Sequence, residues 1–167
     1  MSVDLESGNL LATPLLNVGN LLANCAMFRT LMDASTVAAA KARQVYIESD
    51  ECESDEASLP RCIIGYSPYE FGSELIGTTN WITNGPVEAR IEVATDEAYL
   101  FSKQDEVKWW ANSMGTLFSQ IRTLATTGSG YLNVVNLKLG MCGRLDVTEF
   151  NGCRGMGAEL IFEWRGP

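Results

Sequence analysis

Apolar residues recur along this chain with two different periods, and the switches between them divide it into elements. From Leu16 onward, Leu21, Leu22, Cys25, Phe28, Leu31 and Met32 fall at spacings of three and four, which lines them up on one helix face. The pattern predicts a helix over 16–33. Ser35 is placed to cap a second short helix through TVAAAKAR, after which QVYIE turns to the β-branched and aromatic content of a strand. Beyond Pro60, RCIIGY is an apolar run of strand length. Beyond Pro86, VEARIEVA alternates Val87, Ala89, Ile91 and Val93 with Glu88, Arg90 and Glu92, as a half-buried strand does.

Between those two strands lies SPYEFGSELIGTTNWITNGP, residues 67–86, with three glycines, two prolines and the apolar subset Tyr69, Phe71, Leu75, Ile76 and Trp81. It reads as a long loop, and loops of that length in a compact domain are usually functional, disordered or a wrong assignment of the elements. The longest helical pattern follows over 105–126. There Val107, Trp110, Ala111, Met114, Leu117, Phe118, Ile121, Leu124 and Ala125 form one stripe, and Asp105 and Glu106 suit the positive N-terminal end. TTGSG stops it. YLNVVNLKLGMCGRLDVTEF then reads as extended chain with a bend or bulge at Gly140 and Gly143, and a hairpin around NGCRG leads to GAELIFEWRG. In that last segment Ala158, Leu160, Phe162 and Trp164 share one face, and Glu159, Glu163 and Arg165 the other. The order of elements predicts an α+β domain whose mostly antiparallel β-sheet has its helices packed on one side. Residues 1–14 read as a flexible N-terminal tail and 15–167 as a single domain.

Composition narrows the function classes. Of 167 residues, 12 are basic and 21 acidic, a net charge of −9, and no basic cluster exists to grip phosphates. The start of the chain has no positive region leading into an apolar run with a small-residue cleavage site, and no apolar stretch is long enough to span a bilayer; the expectation is a soluble protein without a membrane partner. Cys25, Cys52, Cys62, Cys142 and Cys153 share no C-x-x-C spacing and are read as free thiols. Histidine is absent, which removes the commonest general base and the commonest partner of a nucleophilic serine or cysteine.

Six of the acids, Glu48, Asp50, Glu51, Glu53, Asp55 and Glu56, stand within nine residues around Cys52. Hard cations take several carboxylate oxygens, but the D-x-[DN]-x-[DN]-G arrangement that wraps a loop round one ion is missing. Like charges this dense gain by staying hydrated, so the run reads as a solvated connection between strands. Cys52 lies in negative surroundings that raise a thiol pKa. Ser119 and Ser129 lack a G-x-S-x-G setting, and TTGSG and NGCRGMG lack the G-K-[ST] ending of a phosphate loop. No catalytic, metal-binding or cofactor-binding residue is assigned. One feature points outward: Trp109 and Trp110 diverge by about 100 degrees on a helix, so with Trp110 on the stripe Trp109 is left outside it, beside Ser113, Thr116 and Gln120. It is either a partly covered surface residue or an interface anchor.

The segments LLNVGNLLANCAMFRTLMDA, LPRCIIGYS, VEARIEVATDEAY, VKWWANSMGTLFSQIRTLA and the closing GAELIFEWRG, in that order, cover most of residues 15–165. In this ordering, its length and its aromatic last strand, the chain resembles the tail terminator and related neck or tail-completion proteins of long-tailed, non-contractile bacteriophages. The resemblance implies a virion structural protein, made in the host cytoplasm and ending in the tail or neck. It implies a homo-oligomeric ring, usually hexameric, that caps the tail tube, meets the head connector or stopper, and lets DNA through its channel without specific binding. Each subunit of such a ring needs two different contact patches, for which Tyr69, Phe71, Leu75, Ile76, Trp81 and Trp109 are the candidates. The acidic run of Glu48–Glu56 has no counterpart in the resemblance and is placed as a channel or rim loop. A head-completion stopper or connector adaptor is the nearest alternative, and a small-molecule-binding α+β module the alternative of another class.

Overall fold

The computed structural model describes residues 11–46, 59–66, 72–76, 80–95, 103–127, 134–145 and 154–166. Their elements are α1 (Ala12–Asn24), α2 (Ala26–Leu31), α3 (Val37–Lys41), β1 (Gln44–Tyr46), β2 (Arg61–Tyr66), β3 (Gly72–Ile76), β4 (Asn80–Thr95), α4 (Lys103–Thr127), β5 (Val134–Leu145) and β6 (Arg154–Gly166). The strands form one sheet in the order β1-β2-β4-β6-β5, with β3 also paired to β4. Only β1 and β2 run parallel; every other pair is antiparallel. The predicted α+β class stands.

Strand alternation decides which face is covered. The register sets Ile64, Ala89 and Leu160 in one cross-strand row, and Tyr66, Val87 and Phe162 in the next. This face meets Val18, Leu21 and Leu22 of α1, Phe28 and Leu31 of α2, and Trp110, Met114, Leu117 and Ile121 of α4 in a single apolar cluster. Each large side chain taken fully out of water there stabilises the fold by roughly 1.5–3 kcal/mol. The α4 stripe is narrower than the sequence predicts: Val107 is 57% exposed and Ala111 is also exposed.

The helix predicted over 16–33 is two helices. It opens earlier, at Ala12, with Pro14 in the first turn where its missing N–H costs nothing; Ala12 and Pro14 are buried, so the boundary near Leu15 is corrected. It breaks at Cys25, whose backbone is extended (φ −72, ψ 124). The apolar period runs straight through because α2 resumes with its face toward the same core. Side chains satisfy the groups the break frees. The Arg29 Nη1 donates to the carbonyls of Ala23 (3.1 Å) and Asn24 (3.0 Å), and the amide of Met27 donates to Gln120 Oε1 of α4 at 2.8 Å, which is helix capping by residues from outside the helix.

Helix α2 closes with Asp33 in the left-handed region (φ 49). The amides of Asp33 and Ala34 donate to the carbonyls of Thr30 and Arg29, the two bonds of a Schellman ending in which glycine is the usual occupant. Helix α3 is capped by Thr36, whose hydroxyl accepts from the Ala39 amide at 3.1 Å, and not by Ser35 as predicted. Strand β1 docks on α1 through Gln44, whose Nε2 donates to the Gly19 carbonyl at 2.7 Å. A Cβ at Gly19 would lie 2.7 Å from Gln44 Oε1 and collide with the Tyr46 hydroxyl, so a larger residue there would push both side-chain ends away.

The predicted loop 67–86 is corrected too: it contains β3 and the first residues of β4, joined as an antiparallel pair with Gly72 opposite Asn84 and Ile76 opposite Asn80. Strand β4 runs through Pro86, which the sequence reading took as its boundary. The reason lies in the register. On one side of β4 the partners of β3 end at Asn84 and those of β2 begin at Val87, so among the described residues Gly85 and Pro86 pair only with β6, through Trp164 and Glu163. A proline in mid-strand is tolerated where no ladder bond is asked of its nitrogen. The bulge predicted near Gly140 is present as a register shift between Leu139 and Cys142 in β5, and a Cβ at Gly140 would stand 2.8 Å from Glu159 Oε2.

Asp33→Gly removes the strain of an L-residue at φ 49 without losing a hydrogen bond. It is expected to raise unfolding stability by about 0.5–1 kcal/mol, read as a higher midpoint in urea with an unchanged slope.

Candidate assembly surface

The predicted contact residues that the structure describes fall on two parts of the molecule. Leu75 and Trp81 stand opposite each other in register on β3 and β4, with Ile76 next in line opposite Asn80. Among the described residues, Asn80 to Ile82 of β4 pair with β3 alone, since pairing with β6 starts at Thr83. The hairpin therefore runs past the end of β6 as an arm. Trp109 stands on α4, half-buried against the core cluster, its ring 5.8 Å from that of Trp110 and tilted by 39°. Its half-burial is that of a partly covered surface residue. Tyr69, Phe71 and the acids Glu48, Asp50, Glu51, Glu53, Asp55 and Glu56 lie outside the described residues.

Exposed apolar side chains also stand at the two ends of the strand order, apart from the predicted contact residues. Val45 (41% exposed) and Tyr46 (40%) are on β1, and Leu139 (43%) is on β5. Among the described residues, β1 pairs only with β2 and β5 only with β6. Among these residues both outer edges of the sheet thus carry apolar side chains on a strand with one partner strand, the arrangement soluble proteins normally blunt. The signal was faint in the sequence. QVY is too short to show alternation, and Leu139 lies in phase with the half-buried Leu137 of its own strand.

The sheet face away from the helices is a lattice of opposite charges. Arg61 Nε donates to Glu92 Oε2 at 2.7 Å, with both side chains about 5% exposed. Arg90 Nε lies 2.8 Å from the other Glu92 oxygen, but its N–H is not aligned with it, so this contact is an ion pair without a hydrogen bond. Farther along, Glu163 accepts from Lys138 and, at 2.9 Å, from Asn136; these bonds, the Lys138 one first, hold its carboxyl below the usual range. The alternation in VEARIEVA implied a half-buried strand with its acids outward, whereas Glu92 is 4% exposed. Its burial depends on Arg61, which only the β2–β4 register brings opposite it.

Nucleophile chemistry finds little support in the thiols. Burial pushes Cys25 up to about 12 and Cys62 higher still, so both stay protonated at neutral pH. Cys142 is exposed, and its sulfur accepts the Trp110 indole N–H at 3.0 Å. Among the described residues no group of three His, Cys, Asp or Glu side chains gathers to hold a metal, and no helix is long and apolar enough to cross a membrane. An open groove of about 410 Å³ follows α4, lined by Gly115, Phe118, Ser119, Arg122, Thr123 and Thr126. The Thr123 and Thr126 hydroxyls donate to carbonyls of their own helix, so they do not converge on a common point in the groove.

With this geometry in place the chain was compared with known proteins. No protein-family model matches it, and no curated protein matches it. The reading of its function therefore rests on its own surfaces.

Two contrasts test the surface description. Glu92→Ala leaves Arg61 buried without its carboxylate and is expected to cost about 3 kcal/mol or more, whereas Lys138→Ala, which breaks an exposed pair, should change stability by less than about 1 kcal/mol; chemical denaturation of both variants reads the difference. In native protein a thiol reagent should label Cys142 while Cys25 and Cys62 react only on unfolding, as peptide mass mapping of the labelled chain will show.

Proposed function

We propose that the protein is a non-enzymatic structural component of a virion. It assembles head-to-tail into a homo-oligomeric ring at the head-tail junction of a long-tailed, non-contractile phage, caps the tail tube and joins it to the head connector. The observation that carries the reading is the pair of open sheet edges, β1 and β5, each with exposed apolar side chains. They are different patches on one molecule, and two different patches are what a heterologous ring consumes. The order of elements that motivated the resemblance supports it as well, now with an arm at β3 and β4 in place of a long loop. In this reading the arm, with Leu75, Ile76 and Trp81, meets the tail tube.

A stopper or adaptor of the neck would use the same kind of ring at another level of the virion axis, and the position of the ring in a cryo-EM reconstruction separates the two. A small-molecule-binding module would use the α4 groove.

The test is mass measurement in solution with negative-stain imaging, with and without purified tail tubes. Rings at high protein concentration and density on tube ends are the expected result, and a strict monomer that leaves tubes unchanged would rule the proposal out. Ile76→Ser with Trp81→Ser, in the arm, should weaken tube binding at least about tenfold while keeping the melting transition; loss of cooperative unfolding would place these residues in the core instead.

A further inference from the structure

We infer that the ring contact is a continuation of the β-sheet itself, in which β5 of one copy pairs antiparallel with β1 of the next and Leu139 packs on Tyr46 across the joint. This rests on the ring reading and names the surfaces that build it.

The register carries the inference. Tyr46 stands opposite Ile64, Ile64 opposite Ala89, Ala89 opposite Leu160, and Leu160 opposite Leu139. These five residues form one row across the sheet, from its first strand to its last, on the helix-covered face. The three inner members are completely buried, while the two ends, Tyr46 and Leu139, are 40% and 43% exposed. The row is an apolar stripe that runs unbroken to the outer strands of the described sheet. Setting a second copy beside the first along the same row brings Leu139 against Tyr46, an aliphatic and an aromatic side chain of the kind that stabilises neighbouring strands.

Strand direction agrees. β2 and β6 run one way and β4 and β5 the other, because each adjacent pair among them is antiparallel. β1 runs with β2. A copy that keeps the orientation of the sheet therefore presents its β1 antiparallel to the preceding β5, the more stable form of pairing. The side chains at the joint do not oppose this. β1 is uncharged, and the charge on β5 nearest the row, Lys138, is on the opposite face and already paired with Glu163. The same operation repeated joins unlike edges at every step, so it makes a chain of copies or a closed ring and never a two-fold dimer.

The experiment uses the full chain with Cys52, Cys142 and Cys153 changed to Ser, which leaves only the buried Cys25 and Cys62. Tyr46→Cys with Leu139→Cys in one chain should give, with a short thiol crosslinker, a ladder of covalent oligomers that ends at the ring. A mixture of the two single variants should stop at crosslinked dimers, and neither variant alone should crosslink. In parallel, Leu139→Lys and Tyr46→Glu should each weaken association about tenfold or more, and the two in one chain should restore it, with the melting transition followed to confirm that each variant folds. Rings by mass measurement without the ladder and without the charge rescue would overturn this joint while leaving the ring reading intact. Absence of any oligomer in the unsubstituted protein would overturn both.

Discussion

Everything in this fold is referred to the pairing of β4 with β6, which runs from Thr83 opposite Gly166 to Thr95 opposite Arg154. That ladder fixes which side chains share a face, because slipping it by one residue would turn Val87, Ala89, Ile91 and Val93 from the helices to the charge lattice. Helices α1, α2 and α4 have no core without this apolar face, and Arg61 has no buried carboxylate to meet. The long pairing also carries the outer strands. β2 on one side and β5 on the other inherit their register from it, and through β2 so does β1.

The two faces of the sheet divide the energetics. The helix-covered face stabilises by removing apolar area from water, a force with little directional preference. The other face depends on geometry, since a buried Glu92 is tolerable only while a guanidinium stands beside it. One consequence bears on assembly: the apolar face can be extended by any copy that offers a matching row, while the charged face is already paired within the molecule.

Where the sequence predicts well, the cause is a period sustained over many residues. GAELIFEWRG and the Val87–Val93 alternation are strands because a half-buried strand leaves no other pattern, and α4 is a helix because its stripe outlasts any chance spacing. The misses were local geometry or long-range pairing. A backbone break at Cys25 does not disturb the apolar phase, so one helix was expected where two exist. Pro86 sits inside a strand because β6 pairs with β4 on both sides of it, which no local signal shows. Glu92 reads as a surface acid until β2 is laid beside it. For the candidate surface, the sequence places Leu75, Ile76 and Trp81 in one segment, which the β3–β4 register sets side by side, and it leaves Trp109 off the apolar stripe, where the structure has it half-buried. It passed over Tyr46 and Leu139, whose relation exists only across five strands.

The break at Cys25 has a mechanical meaning. The amide of Met27, at the start of α2, donates to Gln120 of α4, and Arg29 of α2 holds the last carbonyls of α1. A displacement of α4 is thus handed through directional bonds to the joint between α1 and α2, which ties the three helices into one plate over the sheet.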